Sequence, residues 1–568
     1  MGAALSEHAD LLALTGADAF KVRVYEKAAR SVAGYHADIA TLDEEGLREI
    51  PGVGKSIAAK IVEILDHGSF NELDEERARV PAGVRSLLDV PGLGPKRAVQ
   101  LHDELGVSSI PELLDALHEH RLRDLHGFGE RTEQALVEAI RHLQAAGGRV
   151  RLDVALDLAE TILDDLRMLP QVRQATYAGS LRRMCATIGD LDLLVAADDA
   201  DPVMDAFCSM PLVDQVLAHG PTKSSVHTTK GLQVDVRVVP QRVWGAALQY
   251  FTGSKAHNIR LRAIAIKKGL KLSEYGLFRV ESNRSVAAAT EEDVYRRLGL
   301  PWVPPPLRED RGEIEAALDD SLPHLVETSD LRGDLHGHTD LTDGLASLEE
   351  MVDAARARGH EYYAVTDHAP MLYMDRMTSE RALRQRAALR RLQRDDGPVL
   401  LHGSELNIQP DGSLDWDDEF LASFDVLVAS VHSHFTQPRD ELTRRIIRAI
   451  EHPYVNIIGH PTGRLIGKRP AVDVDFDEIF RVAARTGTAL EINSFPDRLD
   501  LDDEHVRRAR DAGVRFAIDT DAHAVPHLGN LRFGVATAQR GWVDREHVVN
   551  AWPLPRLRGF LAKGRSVP

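Results

Sequence analysis

Along the first 150 residues, apolar positions fall into short helical stretches such as IAAKIVEIL, joined by glycine turns, with little alternation of the strand kind. A β-rich region follows, in which ATYAGS, DLDLLVA and LQVDVRVVP are separated by polar turns. From about 245 to 300 the pattern is helical and basic again. The segment PWVPPPLRED (301–310) holds neither helix nor central strand, because its prolines remove donors and fix φ. An acidic helical linker then runs to about Glu327. From there to the end, apolar strand-like runs alternate with amphipathic helices, the signature of a parallel α/β fold. Ser347 with Glu350 forms a capping box that starts the first of those helices.

At 568 residues the chain exceeds one core, so three or more domains are expected. No apolar run is long enough to cross a bilayer, and MGAALSEHADLLAL lacks the basic region of a signal peptide. Two cysteines, Cys185 and Cys208, exclude a disulfide framework and fit a reducing cytosol. The net charge of −19 argues mildly against a nucleic-acid partner. A local patch offsets it: Lys255, Arg260, Arg262, Lys267, Lys268 and Lys271 face one acid, Glu274.

Three similar turns punctuate the front: Pro51-Gly52-Val53-Gly54-Lys55, Pro91-Gly92-Leu93-Gly94-Pro95-Lys96 and Gly127-Phe128-Gly129. Paired glycines let the backbone turn tightly and bring bare N–H groups near a ligand. The helix that follows adds a positive N-terminal end, so each unit suits a phosphate without reading sequence. One such turn is most often geometry alone. Three of them resemble helix-hairpin-helix DNA-binding repeats.

Gly179-Ser180-Leu181-Arg182-Arg183 precedes Gly189-Asp190-Leu191-Asp192 at the head of an apolar run. On a strand, Asp190 and Asp192 share a face, and Asp235 lies in a second strand that could pair beside them. Three such carboxylates suit two Mg²⁺ or Mn²⁺ ions. Together with Tyr250-Phe251-Thr252-Gly253-Ser254-Lys255, Asn258 and Arg262, these residues are similar to the nucleotidyltransferase signature of family X DNA polymerases. The resemblance implies that Asp190, Asp192 and Asp235 are catalytic metal ligands. It assigns Gly179, Ser180, Arg183, Gly189 and Gly253 to the nucleotide, Tyr250 and Phe251 to its sugar, Asn258 to the incoming base and Arg262 to the template. Met184-Cys185-Ala186 departs from the more polar composition of that place. The first hairpin resembles the family's lyase domain, with Lys60 at the Schiff-base position and Lys21 and Tyr25 at flanking DNA-binding positions; Ser56 stands where a further lysine belongs. Lys60 could equally hold a backbone phosphate.

Between Asp334 and His523, ligand-type residues follow apolar runs one after another: His336 and His338, Asp343 in the next loop, His368, Glu405, His432, His460, then Asp521 and His523. Active sites of parallel barrels are built at the C-terminal ends of their strands. Six histidines, two aspartates and a glutamate exceed one tetrahedral ion, so two or three metals, Mn²⁺ or Zn²⁺, are expected, with Glu405 a bridge. The motifs HGH…TDH…E…H…GHP…DTDAH resemble PHP (polymerase and histidinol phosphatase) domains, with no ligand missing. That resemblance also points to Arg498 for substrate phosphate.

The chain as a whole thus resembles a bacterial family X DNA polymerase with a C-terminal PHP domain. The implied architecture is multidomain. It comprises a helix-hairpin-helix DNA-binding and possible lyase domain over 1–85, fingers over 86–150 and an α+β palm over 151–242. A helical thumb over 243–312, a linker over 313–328 and a distorted TIM-like (β/α) barrel over 329–568 complete it. The implied function is gap-filling repair synthesis from dNTPs on gapped or nicked DNA by a cytoplasmic, nucleoid-associated monomer. The barrel adds 3′→5′ exonuclease action, with abasic-site endonuclease or 3′-phosphatase activity open to the same metals. Two rivals are a histidinol-phosphatase-like small-molecule phosphatase with a DNA-binding arm, and a non-enzymatic DNA-end scaffold.

Overall fold

The structure, a computed structural model, describes every residue except 34, 36–38, 51, 81, 91, 147, 373–376 and 565–568. In the helical front, Lys55–His67, Pro95–Leu105 and Glu130–Ala146 each follow a glycine turn. The turns close alike: Val53 N–H donates to Ile50 O at 2.9 Å, Leu93 to Val90 at 3.0 Å and Phe128 to Leu125 at 3.1 Å. Gly52, Gly92 and Gly127 have φ of +83°, +87° and +85°, where any side chain is strained. Val53, Leu93 and Phe128 are buried and tie the turns to one shared core. Pro51 and Pro91 lie outside the described residues.

The palm is a five-stranded sheet in the order Val172–Tyr177, Asp190–Ala197, Gln233–Val239, Lys223–Thr228, Val213–His219. Asp190–Ala197 and Gln233–Val239 run parallel, with Asp192 directly opposite Asp235. The helix Leu152–Arg167 buries Leu156, Leu163 and their neighbours in the same core as the strands.

The helical reading of 245–300 needs correction. After Trp244–Thr252 and Lys255–Lys267, the strands Leu270–Ser273, Gly276–Arg279 and Ser285–Ala287 form an antiparallel sheet. Gly269 and Gly276, with φ of +67° and +138°, turn the chain. Leu272 and Leu277 point into the core while Lys271 and Arg279 stay in solvent, so the basic residues masked a strand alternation. The proline segment holds only a short turn of helix, Pro305–Leu307. The stretch read as a linker is helical only over Glu313–Leu318, and Glu313 is fully buried. Its carboxylate lies 2.6 Å from His257 Nδ1, whose Nε2 is 2.8 Å from the Tyr295 hydroxyl. A buried acid needs such partners, so this segment packs as part of the thumb.

The C-terminal sheet is seven parallel strands in sequence order: Gly333–Asp334, Tyr362–Val365, Val399–Asn407, Val426–Ser430, Ile457–Ile458, Ala489–Asn493 and Phe516–Asp519. Most of these strand residues are buried, as expected where helices cover a parallel sheet. The first and last strands approach each other, with His338 N–H donating to Ala522 O at 2.8 Å and Leu335 N–H to Asp519 Oδ1 at 2.8 Å. The barrel is therefore nearly closed. Ser347 and Glu350 form the expected capping box. Leu499 and Phe533 of the barrel join the palm core, and Trp542 joins the thumb core. No helix among the described residues is long and apolar enough to cross a membrane.

Candidate metal centres and nucleic-acid interface

At the palm, Asp192, Lys223, Asp235, Arg237 and Phe251 line a cavity of about 60 Å³. Burial, then the charges of Asp190 and Asp235, push the Asp192 carboxyl up to about 6. That rise corresponds to about 3 kcal/mol of desolvation and repulsion, which cations between the three carboxylates would relieve. Burial works the same way on Asp235, but hydrogen bonds from Lys223, Gln233 and Ser225 outweigh it and hold the group low. Lys223 Nζ is 2.5 Å from Asp235 Oδ2. The sequence reading missed this lysine; it sits across the ladder, in register with Arg237 two residues beyond Asp235. Gly179 has φ of +58°, and a Cβ there would stand 2.4 Å from Asp192 Oδ2, so only glycine passes that carboxylate. A Cβ on Gly189 would meet Arg149 Nη1 at 3.0 Å. Ser180 is half-buried in the turn between them.

Other nucleotide-side residues are placed less openly than the motif suggests. Arg183 Nε is 3.0 Å from Glu309 Oε1, and its Nη1 donates to Thr252 O at 2.6 Å. Gly253, with φ of +67°, lies against the Arg183 guanidinium. The rings of Tyr250 and Phe251 meet edge-on at 5.2 Å, with Arg237 4.5 Å over Phe251. Asn258 is buried: its amide donates to Tyr250 O at 2.7 Å and accepts from Gln249 at 2.7 Å. Those bonds hold two helices together and do not present the amide to an incoming base. Arg262 is half-buried, while Arg260 is paired with Asp310 and Glu315, which thins the basic patch.

In the barrel all nine expected ligands converge. Glu405 Oε1 lies 3.1 Å from His432 Nε2 and 3.0 Å from His460 Nε2. Its Oε2 lies 3.4, 3.5 and 3.0 Å from His336 Nε2, His338 Nε2 and His368 Nδ1. Asp521 Oδ1 is 3.2 Å from His338 Nε2, and Asp343 Oδ2 is 3.3 Å from both His368 and His523. Among the described residues, three groups have donor atoms within 4.8 Å of one another: His338, Asp343, His368 and His523; His336, His338 and Asp521; His368, Glu405 and His432.

The donor set fits divalent cations. His336 Nε2 and His338 Nε2 face each other at 3.2 Å, and His338 stacks on His368 and His523 at 4.4 and 4.3 Å. Burial, followed by His523 and His368, lowers the His338 pKa, whereas the neighbouring carboxylates outweigh burial and raise those of His336, His368 and His523, a charge balance that bound cations would take over. His338 Nδ1 and His460 Nδ1 are buried without a hydrogen-bond partner. Three other rings are anchored through Nδ1, to Glu491 for His336 (2.6 Å), to Asn407 for His432 (2.7 Å) and to the Asp521 carbonyl for His523 (2.8 Å). Each anchor turns Nε2 toward the cluster. Asp367 likewise holds the loop after the first strand, accepting from Thr339 N–H at 2.8 Å and Thr339 Oγ1 at 2.6 Å. Arg498 Nε stands 3.7 Å from Asp521 Oδ2, half-buried beside the cluster.

Residues 2–70 match the helix-hairpin-helix domain, 84–142 the SAM-like helix-hairpin-helix tandem, 247–309 the DNA polymerase beta thumb and 334–495 the PHP domain. The chain is 36% identical over 554 residues to the DNA polymerase/3′-5′ exonuclease PolX of Bacillus subtilis (strain 168), across 97% of this chain and 96% of that one. The chain belongs to the PolX family. Probable phosphatases of Thermoanaerobacter sp. (strain X514) and Shewanella sediminis (strain HAW-EB3) are each 29% identical over 241 residues, covering 40% of this chain and 93% of theirs. That span is the size of the barrel alone. Membership of the PolX family accounts for the whole length and displaces both the small-molecule phosphatase and the scaffold readings.

Among the residues missed from the sequence, Glu491 was the most legible. It lies near the C-terminal end of a barrel strand, as the ligands do, and it also accepts from His460 N–H at 2.6 Å. At the front of this PolX-family chain, Lys60 is buried, paired with Glu72 and 5.5 Å over the Phe70 ring. Tyr25 is buried beside it and stacks edge-on with His8, so it is not open to DNA, whereas Lys21 is exposed. Gly54 and Gly94 cap helices that open with Lys55 and with Pro95-Lys96. After Gly129 the third helix opens with Glu130, which repels phosphate.

Proposed function

We propose that this chain fills gaps in duplex DNA at the palm and hydrolyses DNA 3′→5′ at the barrel. The observation that carries the reading is that one chain, alike from end to end to a DNA polymerase/3′-5′ exonuclease, holds both donor sets complete. Asp190, Asp192 and Asp235 would hold Mg²⁺ or Mn²⁺, and the nine barrel ligands two or three Mn²⁺ or Zn²⁺ ions. When bound, such cations supply Lewis acidity, easing ionisation of a primer hydroxyl or of water and offsetting phosphate charge. The chain's own residues do the rest. The turn Gly179-Ser180 and Arg183 grip the triphosphate, Tyr250 and Phe251 border the sugar, and Arg498 grips the scissile phosphate. Gly52, Gly54, Gly92 and Gly94 offer backbone N–H groups to DNA phosphates without reading sequence. With each site complete in one chain, a monomer working at the nucleoid in the cytoplasm suffices.

The Lys60 amine is buried and engaged by Glu72, not left free to attack an aldehyde as Schiff-base chemistry needs, which supports a phosphate grip. Borohydride should therefore fail to trap the wild type on DNA bearing a 5′-deoxyribose phosphate. The main reading is tested by a metal series on gapped and on 3′-recessed DNA, with wild type, Asp190→Ala and His336→Ala. Each variant should lose one activity and keep the other. The same series on abasic-site and 3′-phosphate substrates separates endonuclease and phosphatase action from exonuclease action.

A further inference from the structure

Two adjacent palm arginines are held in different ways. Arg182 pairs with Glu291 of the thumb at 2.8 Å. Arg183 pairs with Glu309 at 3.0 Å, and the same Glu309 oxygen receives Arg540 Nη1 from the barrel at 2.9 Å. Arg540 Nη1 also donates to the Arg183 carbonyl at 2.8 Å, and its Nη2 to Asp503 Oδ2 at 2.9 Å. Asp503 in turn accepts from Arg311 Nη1 at 2.9 Å. Arg540 is only 7% exposed and ends the barrel helix Leu531–Arg540, whose Phe533 is seated in the palm core. A charge so buried keeps its geometry only with partners, and these span palm, thumb and barrel.

We infer that Glu309 and Arg540 are positioning residues for nucleotide binding, through which the docked barrel holds Arg183 ready for the triphosphate. This rests on the reading of Arg183 as a triphosphate ligand. Glu309 fixes Arg183 through Nε and leaves its Nη2 for an anion. An uncompensated carboxylate there would repel a triphosphate and hold Arg183 too tightly. Arg540 offsets that charge on the very oxygen that Arg183 uses. The nucleotide site is therefore electrostatically complete only when the barrel is docked.

The test is steady-state nucleotide addition by the full chain on gapped DNA. Arg540→Met should raise KM for dNTP roughly fivefold to tenfold, the scale of coupling between linked sites, with kcat changed less than about twofold. Arg540→Lys keeps the charge and should restore KM. Glu309→Gln keeps an acceptor without the charge, so its KM should equal or fall below that of the wild type. In that background Arg540→Met should have no further effect. Hydrolysis by the barrel should be unchanged in Arg540→Met. A wild-type KM in Arg540→Met, alongside a raised one in Arg183→Gln, overturns the inference and leaves the triphosphate role standing. A wild-type KM in Arg183→Gln removes that role itself. Should Arg540→Met fail to fold, Arg540→Gln is measured in its place, and a wild-type KM there overturns the inference.

Discussion

On the proposed reading, the palm and the barrel solve the same problem, holding cations against phosphate, with opposite degrees of preparation. At the palm, Asp192 and Asp235 from two paired strands line a small cleft, Asp190 beside them is exposed, and Lys223 is the cation in contact. In the barrel, nine ligands arrive on successive strand ends, most of them buried, and a further set of acids and amides orients the rings. A site that must admit and release a nucleotide gains from being completed by its substrate. A site that keeps its metals gains from being rigid before they bind.

The sharpest break in this comparison would come from Asp235→Ala. Nucleotide addition should fall by about a thousandfold or more, because the leaving and attacking oxygens lose their common support. Hydrolysis of 3′ ends should stay within about twofold, as the barrel shares no ligand with the palm. Equal loss of both activities in a folded variant would undo the idea of two separate sites.

Next in size is Glu405→Ala, which removes a side chain touching five imidazoles. Hydrolysis should drop by roughly a hundredfold or more, and elemental analysis after dialysis should find less metal than in the wild type. If the variant keeps full hydrolysis with no metal, the nuclease lies elsewhere.

The contrast in preparation concerns the metal clefts, not whole domains. Beside the palm cleft, Glu291 is buried between Arg182 and Arg308. Burial alone would raise its pKa, but the Arg308 charge and the bonds from Arg182 and Arg308 win and hold it down at about 2. An ordinary glutamate in the unfolded chain titrates near 4.5. The pair therefore stabilises the fold above that pH, and the contribution is lost as pH falls toward 2. Glu291→Gln should cost about 3 kcal/mol at neutral pH, and its urea midpoint should show a flatter acid limb than the wild type. Parallel acid limbs would mean that Glu291 titrates normally.

Glu491→Gln should have the mildest effect, roughly tenfold in metal affinity, read by competition with a chelating dye. His336 would keep a partner but lose its charge. An unchanged affinity would show that the outer acids contribute little to preparation.

Much of the barrel was legible residue by residue, because one rule, a ligand type after each apolar run, repeats along the chain. That rule could have found Glu491 too, had the end of EIN been treated like the end of VLLHGSE. The thumb was less legible: Lys271 and Arg279 hid two short strands, and an acidic run gave no sign that Glu313 would be buried against His257.

What the sequence determined by itself was local and periodic: the glycine turns, the Asp-x-Asp strand, the capping box and the alternation of strands and helices in the barrel. These depend on neighbours a few residues apart, whose geometry is set by backbone sterics and hydrogen bonding. Only the tertiary structure decided which charges meet. Asn258 turned inward to Tyr250, Lys223 reached Asp235, and Arg183 was shared with Glu309 and, across 357 residues, with Arg540. Ion pairs leave no periodic trace, because any acid can serve any base that the fold brings within a few ångströms.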